Sequence, residues 1–213
     1  MNDTAFATIP NAFTEEECDE IVRIGDMLTN QKKGKITGGE DHWMQYYREC
    51  DVAWFNEHQS QANNLDFTFM YQKLDNLVHS MMRNVGWSYE LTSRQSAQYT
   101  SYEKSGRYDW HKDAHAKPYS EDTQWPGQVR KMSAVVLLSD PEDYVGGDLL
   151  GENPFKYTPL EYWKRISNLT ADPKNKKKGT AFVFPSWAHH KVTPIESGSR
   201  KSLVCWWNGP PFT

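Results

Sequence analysis

A mainly β domain of sandwich or barrel type, braced by helices near its start, is predicted by three features of this chain. Beyond Trp87 the apolar runs are short and punctuated by glycine and proline, which is the rhythm of strands and turns. Before Trp87, two segments repeat apolar residues at helical spacing. The length, 213 residues, suits one sandwich or barrel domain, whereas a split would leave two small halves.

Taken in order, Thr14 and Glu17 form a capping box, with Phe13 placed to staple onto Cys18. Cys18, Ile21, Val22, Gly25 and Leu28 then share one face of a helix over 14–29. Lys32-Lys33-Gly34-Lys35 and Gly38-Gly39 read as a mobile connection. Tyr46 to Phe55 is rich in aromatic and β-favouring residues and predicts a strand. Phe67, Met70, Leu74, Leu77, Val78 and Met81 predict a second core-facing helix, ended by Gly86. Strands follow over Arg94–Tyr102, Met132–Leu138, Gly179–Phe184 and Ser202–Trp207, while Gly146-Gly147 demands close backbone approach or unusual dihedrals. The expected organisation is one domain over 1–213: a helical support region (1–90), a β core (91–210) and an insert (151–178). Long loops of that kind are lids or passive insertions. Thr158-Pro159-Leu160-Glu161 suits the start of a short helix within it.

Charge is nearly balanced, with 24 basic against 28 acidic residues, so no global field favours nucleic acid. Three widely spaced cysteines, Cys18, Cys50 and Cys205, argue against a disulfide framework and for a reducing compartment. No secretory signal or bilayer-length apolar run is visible, so a cytoplasmic protein without a membrane partner is the expectation.

The chemistry concentrates in Arg107-Tyr108-Asp109-Trp110-His111-Lys112-Asp113-Ala114-His115. If this stretch is extended, His111 and Asp113 face the same way, roughly 7 Å apart along the backbone. An imidazole and a carboxylate then converge on one point. Two histidines and one carboxylate on one face suit ferrous iron with open positions, and the second histidine can come from Phe182 to Pro194, where His189 and His190 stand side by side. In a strand only one of those two can face the metal. His111 and His115 also have the spacing of a helical zinc site, but that motif needs glutamate after the first histidine and Lys112 stands there.

His-x-Asp, a distant histidine followed by Val192-x-Pro194, and Arg200 ten positions beyond His190 together resemble the Fe(II)/2-oxoglutarate-dependent oxygenases. The nearest branch is the prolyl 4-hydroxylase-like group, which includes the PKHD-type hydroxylases. Leu138-Ser139-Asp140-Pro141 and Tyr144-x-Gly146-Gly147-Asp148-Leu149 add to the likeness, which runs from about Ala97 to Pro210.

The resemblance implies a double-stranded β-helix (a jelly roll of cupin type) with the N-terminal helices on one sheet. It selects His111, Asp113 and His190 as ligands of Fe(II) and Arg200 as the grip on the distal carboxylate of 2-oxoglutarate, for which a guanidinium is well shaped. It places Tyr102 and Tyr108 in the walls of the pocket, while alternation along the last strand makes Trp206 a pocket wall, turns Trp207 outward and leaves Lys201 solvated on the other face. Relatives that carry a tyrosine in the strand equivalent to Val135–Leu138 find only aliphatic residues matching it here, and their connection across the insert is shorter. Dioxygen is the second cosubstrate, with ascorbate as a candidate reductant. The implied reaction is hydroxylation of an unactivated C–H bond, foremost on a peptidyl proline. A free amino acid or other small molecule is the alternative substrate, and a cupin-like binding module the alternative of another class. The oligomeric state is not legible.

Overall fold

The structure is a computed structural model and describes residues 5–31, 48–154 and 165–212. Its first helix, α1, spans Glu15–Gln31. The capping box forms as the sequence predicts: the Thr14 backbone N–H donates to Glu17 Oε2 at 2.7 Å, and the Glu17 N–H to Thr14 Oγ1 at 3.2 Å. Cys18, Ile21, Ile24 and Leu28 are buried, with Val22 only partly so. The core-facing stripe is therefore rotated slightly towards Ile24. Gly25 lies on this stripe because a Cβ there would overlap the ring of Tyr99. Gly25→Ala is expected to destabilise the fold by about 1–3 kcal/mol, the usual cost of overpacking a filled core; urea denaturation checks it.

A short helix not foreseen from the sequence, α2 (Glu57–Asn63), is capped by the Asn56 side chain, which accepts from the Gln59 N–H at 2.9 Å. The next, α3, spans Thr68–Val85 and ends at Gly86, whose φ of 81° is one that glycine adopts without strain. Met70, Leu74, Val78 and Met82 form its buried face.

The described residues form fourteen strands, numbered in chain order. The larger sheet has the order β1 (Ala7–Ile9), β11 (Ala181–Pro185), β7 (Val129–Leu137), β14 (Arg200–Gly209), β5 (Ala97–Tyr102), β3 (Asp51–Phe55), with β4 (Ser93–Arg94) beside β14. The smaller runs β10 (Ile166–Asn168), β9 (Leu149–Glu152), β12 (His190–Val192), β6 (Arg107–His111), β2 (Arg48–Glu49). A hairpin-like pair, β8 (Tyr144–Gly146) and β13 (Ile195–Gly198), closes one end. Among the described residues every pairing between strands of these sheets is antiparallel.

Side-chain alternation divides the larger sheet into two faces. Tyr99, Met132, Val136, Leu203, Cys205 and Trp207 pack with α1 and α3 in one core. The opposite face looks towards the smaller sheet across a second, smaller core that holds Phe6, Tyr102, Leu137 and Phe184. Trp207 does turn away from the pocket, but into the helix-covered core, where its Nε1–H donates to Asp75 Oδ1 at 2.8 Å. Lys201 corrects its solvated assignment: its Nζ pairs with Asp26 Oδ2 at 2.7 Å.

Two expectations about boundaries change. The support region is not only helical, since β1, β2 and β3 join the sheets. The stretch set apart as an insert begins inside β9, and Ile166–Asn168 adds a strand antiparallel to it. Lys178 then ties the end of this stretch back to Asp19 of α1 at 2.5 Å. The predicted short helix at Thr158 and the Lys32–Gly39 connection lie outside the described residues, as do Tyr46 and Tyr47 of the first predicted strand.

Candidate active site

The two sheets enclose a cavity of about 190 Å³, walled by residues that include His111, Asp113, His190, Arg200, Tyr102 and Trp206. β6 and β12 are neighbours, and His190 is the direct cross-strand partner of His111. This pairing sets the imidazoles side by side, with ring centroids 4.1 Å apart. β6 stops at His111, so Asp113 sits in the bend beyond it rather than on the extended strand expected. The Ala114 N–H donates to Ser186 O at 2.8 Å and holds that bend against the larger sheet. Potential ligand atoms of His111, Asp113 and His190 all lie within 4.8 Å of one another, and no fourth His, Cys, Asp or Glu joins the group among the described residues.

The tautomers follow from the backbone. His111 Nδ1 is 2.7 Å from Asp109 O, and His190 Nδ1 is 3.0 Å from Ala188 O. A carbonyl only accepts, so each Nδ1 carries the proton and each Nε2 presents a lone pair to the common point. Those Nε2 atoms stand 3.8 and 3.7 Å from the two oxygens of Asp113. Burial, then the neighbouring His190, pushes the His111 imidazole down to about 3. Burial opposes ionisation of Asp113, yet the two histidines, Arg130 and a hydrogen bond from Ser133 outweigh it and hold the carboxyl at about 2. An unprotonated imidazole and an ionised carboxylate are the states a metal requires. His189 points elsewhere and bonds Glu152 Oε2 through Nδ1 at 2.9 Å. His115 packs edge-on against Tyr119, 5.5 Å between centroids, on no helix, which removes the zinc-hydrolase arrangement.

Ser133 supports the carboxylate from behind: its hydroxyl donates to Asp113 Oδ2 at 2.7 Å and lies 2.9 Å from Ser186 Oγ. Ser133→Ala is expected to lower metal affinity by roughly 10- to 100-fold, the usual penalty for losing such a supporting bond. A competition titration with a chelator measures it.

Arg200 is 1% exposed and stands opposite Tyr102 across β14 and β5. Its Nη1 reaches Ser202 Oγ at 3.4 Å, while Nε and Nη2 are buried with no hydrogen-bond partner. An unpaired buried guanidinium is costly, and these idle donors fit the carboxylate of a small acid. Gly147, at φ 62°, leaves room for this side chain, since a Cβ there would stand 2.8 Å from Arg200 Cδ. Tyr102 lies below Arg200, its ring centroid 5.5 Å from the guanidinium carbon. Tyr108 stacks on His111 at 3.5 Å between centroids, and Trp206 forms a wall with Trp54, 6.1 Å away.

The sequence profile of the 2OG-Fe(II) oxygenase superfamily matches residues 97–208, more than half of the chain. The chain belongs to this superfamily. The oxygenase is 25% identical over 201 residues to a PKHD-type hydroxylase of Alteromonas mediterranea, covering 87% of this chain and 77% of that one. Its fold matches the viral collagen prolyl hydroxylase of Paramecium Bursaria Chlorella virus-1 in its 2OG complex, with a TM-score of 0.63, 16% identity and 97% of each chain covered. A Trichoplax adhaerens prolyl hydroxylase in complex with a hypoxia inducible factor peptide fragment gives 0.62 at 18% identity, over 95% of this chain and 83% of that one. The oxygenase therefore has the jelly-roll fold and uses Fe(II), 2-oxoglutarate and dioxygen. No helix among its described residues is long and apolar enough to cross a membrane.

Sequence reasoning missed several cavity residues. Arg130 lies just before the strand predicted over Met132–Leu138. Met132 pairs with Trp207 but Arg130 with Asn208, and this bulge turns Arg130 into the cavity. Arg48 enters because β2 pairs with β6, placing it opposite Tyr108; no local pattern announces such a contact. Gln98 and Thr100 could have been found, being in phase with Tyr102 along β5.

Proposed function

We propose that this oxygenase is a prolyl 4-hydroxylase-like enzyme that hydroxylates a peptidyl proline, with His111, Asp113 and His190 holding the iron and Arg200 gripping the distal carboxylate of 2-oxoglutarate. The observation that carries the residue assignment is the pairing, within one cavity, of two lone-pair-bearing Nε2 atoms and Asp113 with a buried Arg200 that has idle donors. Bound together, iron, 2-oxoglutarate and dioxygen supply an oxidant strong enough to place a hydroxyl on an unactivated carbon. The chain's own residues do the rest. The ligands fix the metal on one side and leave the other open. Arg200, in line with Ser202 along β14, orients the cosubstrate, Tyr102 closes its far end, and Val135, Leu149 and Val192 keep water out. The prolyl substrate is supported by the shared fold with prolyl hydroxylases, one of them solved with a peptide.

The test is to incubate iron-loaded protein with 2-oxoglutarate, ascorbate as reductant and proline-containing peptides, following succinate and the gain of one oxygen atom by the peptide. Peptide hydroxylation that needs both iron and 2-oxoglutarate is the expected result. Succinate release stimulated only by free amino acids would replace the peptide by a small molecule. Failure to bind 2-oxoglutarate in the presence of metal would return the chain to a binding module.

A further inference from the structure

The cavity carries more positive charge than iron and 2-oxoglutarate can use. Three guanidinium groups line it, those of Arg48, Arg130 and Arg200, against a single carboxylate, Asp113. Ferrous iron balances its ligand Asp113 and one carboxylate of 2-oxoglutarate, and Arg200 takes the other carboxylate. Two cations, Arg48 and Arg130, remain uncompensated; both are half-buried, where each carries a desolvation cost unless an anion arrives.

The direct partners of these two are neutral groups, although Arg130 also acts on Asp113 through space. Arg48 Nε lies 3.0 Å from Cys50 Sγ, its Nη2 donates to Gln98 Oε1 at 2.5 Å, and its guanidinium carbon sits 4.9 Å from the Tyr108 ring centroid. Burial raises the Cys50 thiol above its ordinary value despite Arg48, so the sulfur beside this cation is uncharged at neutral pH. Arg130 donates to Gln95 Oε1 at 3.1 and 2.8 Å and stacks on Trp206, 3.9 Å from its centroid. Among the described residues neither forms an ion pair. Their partners fix their geometry and leave their charge available.

Arg48 stands between the two ends of the cavity: its charge, like that of Arg200, acts on Tyr102, while its hydrogen-bond partner lies further along the sheet. Gln98, the partner of Arg48, is paired with Val204, four residues along β14 from Arg200, roughly 13 Å at strand spacing. Arg130 stacks two residues further still, on Trp206. Both come close to the metal ligands: Tyr108, beneath Arg48, stacks on His111, and Ser133, opposite Trp206, holds Asp113.

We infer that the substrate carries a carboxylate near the carbon to be hydroxylated, and that Arg48 is the group that binds it. This rests on the oxygenase reading above and narrows its substrate class. The carboxylate has two possible sources, an acidic side chain beside the proline of a peptide or the free α-carboxylate of a proline-like acid.

The test uses protein loaded with manganese(II) and saturated with 2-oxoglutarate, so that Arg200 is filled and nothing turns over. Fluorescence of the cavity-wall tryptophans is titrated with two matched pairs: N-acetylproline against N-acetylprolinamide, and N-acetyl-Glu-Pro-amide against N-acetyl-Gln-Pro-amide. In one pair the acid should bind at least about tenfold more tightly than its neutral twin, as a charge-assisted contact to a half-buried arginine requires. The pair that responds names the source. Arg48→Gln should reduce the preference to within about twofold. A second variant, Cys50→Asp, keeps Arg48 but supplies a carboxylate beside it, and should abolish the preference equally, so the inference does not depend on Arg48→Gln folding. Equal binding of acid and neutral twin in both pairs, or a preference that survives both variants, would overturn the inference. Loss of 2-oxoglutarate binding in Arg48→Gln would also overturn it, by assigning Arg48 to the cosubstrate. If the unaltered protein fails to bind 2-oxoglutarate, the oxygenase reading itself falls and takes this inference with it.

Discussion

Arg200→Leu should all but eliminate 2-oxoglutarate binding while making the empty protein more stable. The two effects share one cause. Among the described residues Arg200 is the largest fully buried side chain, and two of its nitrogens have no hydrogen-bond partner there. Folding therefore strips a cation of water and returns only one long hydrogen bond and an aromatic neighbour. Leucine removes that penalty, and replacing buried charge by apolar volume stabilises comparable sites by about 1 kcal/mol or more. The same idle donors are what a carboxylate would fill. Truncating one partner of a buried charged pair costs about 2–5 kcal/mol, or roughly 30-fold or more in affinity. Calorimetric titration of the metal-loaded variant and urea denaturation of the empty one measure both signs. An affinity within about threefold of the unaltered protein would take Arg200 out of the cosubstrate site.

His190→Ala is expected to cut iron affinity by more than the roughly 100-fold that loss of a supporting hydrogen bond can cost, and to abolish turnover with it. It removes one of three converging ligands and leaves His111 and Asp113 on one segment of chain, unable to enclose the metal alone. The informative control is His189→Ala. That ring bonds Glu152 and does not join the cluster, so iron affinity should stay within about twofold. Equilibrium dialysis of the three proteins decides between the adjacent histidines. A drop in the His189 variant equal to that of His190→Ala would show that the wrong neighbour had been chosen.

What could be seen in the sequence was whatever local periodicity controls. The capping box at Thr14, the stop at Gly86, the in-phase set Arg200 and Trp206, and the glycine pair at 146–147 are each decided within a few residues. The ligand set was legible as well, through the joint pattern of His111, Asp113, His190 and Arg200. What escaped depends on partners distant in the chain. Arg130 faces the cavity only because a bulge opposite Trp207 and Asn208 reverses the alternation, and Arg48 only because its short strand happens to pair with β6. Lys201 was misjudged for a related reason, as Asp26 reaches it from a helix wrapped over the sheet. The stretch after Leu150 looked like a separate insertion because polar, lysine-rich sequence conceals the second strand that pairs with β9.

The direct pairing of His111 with His190 has a consequence for how the protein matures. A nascent chain that has emerged only as far as β11 holds one imidazole and one carboxylate of the cluster, and its smaller sheet still lacks the central strand β12 that joins β9 to β6. Tight metal capture must wait until that strand docks. The metal then binds the finished sheet and not its precursors, and adds its binding free energy to the native state alone. Iron loading thus acts as a late latch on folding, and the kinetics of metal uptake by refolding protein report the arrival of β12.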